Sequence, residues 1–276
     1  MYETEKKDGE AVFDCRGFLG TITLKRPGKR NALTYELWLS LARAVQDADN
    51  NDQLRVLVLK GEGESFCSGL DVSSESNAAM LVSGGNSPEQ RVQLFRFIKR
   101  IQSIHTELEQ LRVPTIAAIQ GHCIGAGLEL VCCCDMRFCS SNAVFSLPEA
   151  TFGIVTDVGG LQRLPRIIGS GKAREMAFRG HTIGSEEARR IGLVNEVFDT
   201  PQELDDQVEQ IAGEIASQSA QAVQGAKEVF LHDQEVPMTR SLEFNAARSA
   251  LILPSEELKR AIESGRNKAT DKGSRK

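Results

Sequence analysis

The 276 residues, 41% hydrophobic and 26% charged, have the ordinary balance of a soluble globular chain and leave room for one large domain or two modest ones. A formal net charge of −5 offers no basic excess to neutralise a phosphate backbone, which argues against a nucleic-acid binder apart from any local basic patch. No apolar run approaches the length of a membrane span.

The chain opens on a polar segment with charges of both signs, Met1 to Asp8, which reads as neither a secretory signal nor an Arg-rich transit peptide. Val12–Cys15 and Leu19–Leu24 predict two strands joined by a turn at Arg16-Gly17. A basic turn, Arg26 to Leu33, follows. Thr34 then caps a helix whose apolar positions Leu37, Leu41, Ala42 and Val45 recur at helical spacing. Leu54–Leu59 predicts a strand running into a Gly-rich turn, Gly61 to Asp71. The mostly small and polar residues from Val72 to Ser87 read as a mobile, lid-like loop. A long helix is expected over Gln90–Leu111, with Val92, Phe95, Ile98, Ile101, Ile104 and Leu108 near one face.

Pro114–Ile119 is a short apolar run of buried-strand type, and Gln120–Leu130 is a second Gly-rich turn entering a buried helix. The first free N–H groups of that helix point into the turn, where they favour a negatively charged oxygen. Glu129 sits one turn further in. Three glycines between a strand and a helix also serve as a plain tight turn, and Glu129 also serves as a first-turn acid. An anion hole beside a carboxylate suits chemistry in which a carbonyl becomes an enolate while a proton moves.

The seven cysteines, with Cys132, Cys133 and Cys134 consecutive, form no disulfide framework. Neighbouring helical positions point about 100° apart, so the three read as small buried hydrophobes in a reducing compartment rather than as metal ligands. Short strands are expected at Met136–Cys139 and Ala143–Leu147, the second ended by Pro148-Glu149-Ala150, then a loop over Phe152–Gly160 that carries Asp157. Helices follow at Leu161–Ile168, Lys172–Phe178 and from Ser185, with a strand at Leu193–Phe198. After Pro201 the strands stop and four helices succeed one another, so the organisation is an α/β core over 1–200 and an all-helical region over 201–276.

These pieces, in this order, resemble the crotonase (enoyl-CoA hydratase/isomerase) superfamily from about Phe18 to about Ser264. Arg26-Pro27 with Asn31-Ala32-Leu33 resembles the family's CoA-binding turn, and Phe66–Asp71 its first oxyanion-hole turn. Pro114–Glu129 resembles the second, and Leu161–Pro165 the helix that closes the site. The resemblance implies a ββα spiral core and thioester substrates carried on coenzyme A. It also implies no cofactor beyond that coenzyme A, and trimers or dimers of trimers built with the helical C-terminal region. It places oxyanion-hole N–H groups at Leu70 and Ala126, and CoA contacts at Arg30, Ala32, Ser68, Gly69 and Asp71. On residue character alone, Lys29 and Arg30 either meet CoA phosphates or face water. The implied address is cytoplasmic in a bacterium, and otherwise a mitochondrial or peroxisomal matrix with the targeting signal absent from this chain.

Glu129 and Glu149 match the two glutamates of the family's hydratases. Asp157, in the setting Asp157-Val158-Gly159-x-Leu161-Gln162-Arg163-Leu164-Pro165, resembles instead the dienoyl-CoA isomerases, although these usually carry Asp at the position of Glu129. Shifting a 3,5-diene to the 2,4 position removes a proton from C2 and returns one at C6, too far apart for one carboxylate. Glu149 and Asp157 are therefore assigned to the two carbons in a 3,5-dienoyl-CoA isomerase of fatty acid β-oxidation. The alternative is a hydratase holding water between Glu129 and Glu149. More remote is a non-catalytic or RNA-associated protein, for which the long helix offers Arg96, Lys99 and Arg100. Outside the resemblance, Glu149 reads as a helix-start acid and Asp157 as a turn former. His122 reads as a packing or hydrogen-bonding group more readily than as a base. His105, His181 and His232 have no convergent partners in sequence.

Overall fold

Residues 10–25 form a hairpin: β1 (Glu10–Arg16) and β2 (Leu19–Lys25) pair antiparallel around Arg16-Gly17. The computed structural model of the protein describes residues 9–72, 87–260 and 262. The expected lid-like loop, apart from its ends at Val72 and Ser87, lies outside the described residues. β2 then pairs parallel with β3 (Val56–Gly61), which pairs parallel with β4 (Thr115–Ile119). β4 is buried at every position and β3 at all but Lys60, as expected of parallel strands covered on both faces. The crossover from β2 to β3 carries α1 (Tyr35–Asp49), whose N-cap Thr34 accepts the Leu37 N–H. Leu37, Leu41, Ala42 and Val45 are buried, as their spacing predicted.

The crossover from β3 to β4 carries α2 (Pro88–Glu109), opened by a capping box between Ser87 and Gln90. Only its C-terminal half is buried, through Ile101, Ile104, His105 and Leu108, while Val92 and Phe95 are exposed. The expected apolar face therefore extends past the part that the core covers. His105 is a core residue: its Nδ1 lies 3.0 Å from the Ile101 carbonyl oxygen and its ring packs on Trp38.

β5 (His122–Ile124) leads into α3 (Ala126–Val131), shorter than expected, so Cys132–Cys134 occupy the turn beyond it. All three are buried, and burial pushes the Cys132 thiol up to about 12. A thiol held so far from ionising packs as an apolar group. β6 (Met136–Ser140) joins β4 in the main sheet, and β7 (Val144–Ser146) pairs parallel with β5. Next come α4 (Gly160–Ile168), α5 (Ser170–Arg179), β8 (Ile183–Gly184), α6 (Ser185–Arg190), β9 (Glu196–Phe198) and α7 (Pro201–Ala216). The result is a six-stranded sheet ordered β1-β2-β3-β4-β6-β9 and a three-stranded sheet ordered β5-β7-β8.

Two compact units divide the chain, 1–215 and 216–276. The first runs past the expected boundary at 200/201. α7 buries Leu204, Val208 and Ala212, and its Asp205 meets Lys60 of β3 at 3.0 Å, so it belongs with the α/β unit. The second unit is helical: α8 (Ala220–Asp233) packs on α9 (Met238–Ile252), and helix resumes over 256–260. Among the described residues no helix is long and apolar enough to cross a membrane.

Candidate active site

The site begins where β3 and β4 end. Parallel neighbours present their C-terminal ends side by side, and here both chains continue as Gly-rich turns that stay paired. The Phe66 N–H donates to the Gln120 carbonyl at 2.7 Å, Cys67 N–H to His122 O at 2.8 Å, and Ile124 N–H to Cys67 O at 3.0 Å. Gly69, at φ 95°, closes the approach: a Cβ there would stand 2.9 Å from the Ile124 carbonyl oxygen and 3.8 Å from the Ala126 nitrogen.

That approach brings two backbone donors together. Leu33 N–H donates to Gly69 O at 2.8 Å and Asp71 N–H to Leu33 O at 3.0 Å, so residues 69–71 use one edge as a strand. Alternation along that strand turns the Leu70 N–H to the opposite edge. Ala126 is the first residue of α3, where a helix supplies no internal acceptor for the N–H.

The carboxyl groups arrive from three elements. Glu149 opens a 3₁₀ turn (Glu149–Phe152) just beyond β7, whose pairing with β5 carries it to the second Gly-rich turn. Gly125, at φ 52°, leaves room for it, since a Cβ there would stand 2.6 Å from Glu149 Oε1. Burial raises the Glu149 carboxyl pKa, with the Asp157 charge adding to the rise, while its own backbone N–H and the Thr156 hydroxyl, 3.3 Å from Oε2, counter it.

Asp157 lies at the end of the following loop, half-buried, and burial raises its pKa too. Its turn is tied to α2, because Gln102 Nε2 donates to the Asp157 carbonyl oxygen at 2.7 Å. In α4, Arg163 grips Glu109 of α2 at 2.7 and 3.0 Å and donates to Thr106 Oγ1 at 3.3 Å.

Glu129 is 2% exposed, and its Oε1 accepts the Gly160 N–H at 2.7 Å and the Val158 N–H at 3.2 Å. It thus anchors the turn that carries Asp157 and the first residues of α4. Burial, then the charges of Glu149 and Asp157, lift its pKa to about 8 against the pull of those two N–H groups. Burial thus favours the protonated form of this carboxyl, and Glu149 and Asp157 are the more accessible acids.

The residues expected to meet CoA gather beside the first turn. Arg30 and Asn31 adopt left-handed backbone conformations, and buried Asn31 sends Nδ2 to the Glu62 and Ser65 carbonyls at 2.9 and 2.8 Å. Ser68 N–H donates to Arg30 O at 2.9 Å, placing Arg30, Ala32, Ser68 and Gly69 in one rim with exposed Lys29 and Arg30 outermost. Asp71 differs: its carboxylate is buried against the Arg26 guanidinium at 2.8 Å, and Arg26 also holds the Ala32 carbonyl. His122 pairs with Ser65, Nδ1 to Oγ at 3.1 Å, as a hydrogen-bonding group at the strand end. Sequence reasoning missed Gln102 and Thr156. Thr156 was within reach as a hydroxyl next to an acid, whereas nothing in a helix 55 positions away marked Gln102.

The model of the enoyl-CoA hydratase/isomerase family matches residues 16–268. The chain is 39% identical over 242 residues to the peroxisomal Delta(3,5)-Delta(2,4)-dienoyl-CoA isomerase of Arabidopsis thaliana, covering 87% of each chain. The solved enoyl-CoA hydratase of Bacillus anthracis superposes with a TM-score of 0.83 at 30% identity, covering 94% of this chain and 96% of that one. A Thermobifida fusca YX chain solved in complex with acetoacetyl-CoA superposes at 0.79 and 28% identity, over 88% and 94%. With its paired Gly-rich turns and converging acids on the same α/β frame, the chain belongs to the enoyl-CoA hydratase/isomerase, or crotonase, family of enzymes.

Proposed function

We propose that the protein isomerises 3,5-dienoyl-CoA thioesters to their 2,4-dienoyl isomers. The observation that carries this reading is the pairing of two accessible acids, Glu149 and Asp157, while the third, Glu129, is buried under the Asp157 turn. The thioester oxygen takes the N–H groups of Leu70 and Ala126, donors of a kind worth on the order of 3 kcal/mol each toward a developing oxyanion. Glu149, beside Ala126, removes the C2 proton, and charge spreads from the enolate along the diene. Asp157, further along the acyl chain, returns a proton at C6. Each acid finishes in the state opposite to its start, and solvent exchange resets the pair.

Glu129 then acts by holding the Asp157 turn. Arg30, Ala32, Ser68 and Gly69 border the CoA moiety, Asp71 supports that rim through Arg26, and no cofactor is required beyond the coenzyme A of the substrate. The similarity to the Arabidopsis isomerase supports this reaction, which would serve fatty acid β-oxidation, and the acetoacetyl-CoA complex of a related chain supports a CoA thioester as substrate. A hydratase reading is favoured by one observation: Glu149 lies near enough to Glu129 for its charge to raise the Glu129 pKa. It requires Glu129 to serve as an exposed partner for water, against its burial.

Parallel ultraviolet assays with a 3,5-dienoyl-CoA and a 2-enoyl-CoA decide between them. The expected result is formation of the 2,4-diene, lost by at least a hundredfold in Asp157→Asn, with little hydration. Fast hydration that survives Asp157→Asn and dies in Glu129→Gln would establish the hydratase instead.

A further inference from the structure

Thr156 precedes Asp157 and is 7% exposed, so its hydroxyl is removed from bulk water. It donates to Glu149 Oε2 at 3.3 Å. The other carboxylate oxygen, Oε1, lies against Gly125, immediately before the Ala126 N–H. Glu149 therefore takes a hydroxyl at one oxygen and sets the other in the space that the missing Gly125 side chain leaves. The loop that makes this possible is closed on itself: Ile154 N–H donates to the Glu149 carbonyl oxygen at 3.0 Å, which brings the following residues back over the acid.

We propose that Thr156 is a positioning residue for Glu149, selecting the rotamer that sets the carboxylate against Gly125 and favouring it as a proton acceptor. The ionisable groups around Glu149 make such a neighbour necessary. Asp157 on its own loop and Glu129 on α3 are both acids, and either charge opposes a second one nearby. On α5, which packs against the 3₁₀ turn, Lys172 is occupied by Glu175 and Glu187, Arg179 by Glu175, and Arg174 is exposed. A donated hydrogen bond from Thr156 then offsets part of the cost of ionising Glu149 in a half-buried cleft. Glu149 serves as an acid–base group in both the isomerase and the hydratase readings, and the inference rests on that role.

The test replaces Thr156 by Val, by Ala and by Ser. Thr156→Val is expected to lower kcat on a 3,5-dienoyl-CoA about tenfold, with KM within about twofold of wild type. It should also move the acid limb of the kcat/KM profile to higher pH. Thr156→Ala should repeat both effects without added apolar bulk, and Thr156→Ser should restore them. Separately, carbon-13 titration of the carboxyl groups in the ligand-free protein, with Glu149 assigned through Glu149→Gln, should show its midpoint rising in Thr156→Val and returning in Thr156→Ser. An unchanged midpoint in both Val and Ala variants, or a Ser variant as impaired as Val, overturns the proposal. A shifted midpoint in a protein that leaves dienes untouched supports the role of Thr156 and counts against the isomerase reading alone.

Discussion

Glu129 and Asp71 are two acids whose sequence context and surroundings lead to different assignments. Glu129 stands where a hydratase carries a catalytic glutamate, yet the fold buries it and directs two N–H groups onto Oε1. Its pKa is raised from 4.5 to about 8 by burial, so the folded state binds a proton that the unfolded state has released. That stabilisation is complete below about pH 4.5 and is lost as pH rises through about 8. Glu129→Gln keeps an oxygen to accept both N–H groups and has no charge to bury. Chemical denaturation is expected to show the variant more stable than wild type above pH 8, by on the order of a few kcal/mol, with the gap closing toward pH 4.5. Asp71 is expected from the resemblance as a CoA contact, and its carboxylate is paired with buried Arg26. Removing one partner of a buried pair is costly, so Asp71→Ala should lose about 3 kcal/mol of unfolding free energy.

Among the elements, α2 links the core to the chemistry. Its C-terminal half buries Ile101, Ile104, His105 and Leu108, while the intervening positions Gln102, Thr106 and Glu109 reach toward the Asp157 turn and α4. Periodicity found the helix because its apolar stripe follows helical geometry whatever lies outside it. It overextended the buried face to Val92 and Phe95, since spacing marks a face and does not say where its cover ends. Gln102→Leu keeps the helix and removes the donor to the Asp157 carbonyl. The expected outcome is a loss in kcat of roughly three- to tenfold on the dienoyl substrate, with the melting temperature changed by a few degrees at most. A fall in melting temperature without any kcat loss would assign Gln102 to stability alone.

For the whole molecule, the helical unit leaves Phe230, Met238, Leu242 and Leu251 exposed on a single chain, and we propose that they take part in self-association. Sedimentation analysis should find a trimer or a dimer of trimers, and Phe230→Asp with Leu242→Asp should shift the mass toward the monomer. The sequence alone determined the alternation of strands and helices, the two Gly-rich turns and the change to helix after Pro201, because periodicity, glycine and capping residues act within a few positions of themselves. It also singled out Glu129, Glu149 and Asp157 as candidate acids. Tertiary structure alone decided that α7 belongs with the α/β unit, that Glu129 accepts the Val158 and Gly160 N–H groups, that Asp71 pairs with Arg26, and that Gln102 and Thr156 bond to Asp157 and Glu149. Those outcomes depend on burial and on hydrogen bonds between distant segments, such as Gln102 with Asp157 and Glu129 with Gly160. Neither desolvation nor such a contact exists until the chain has closed around it.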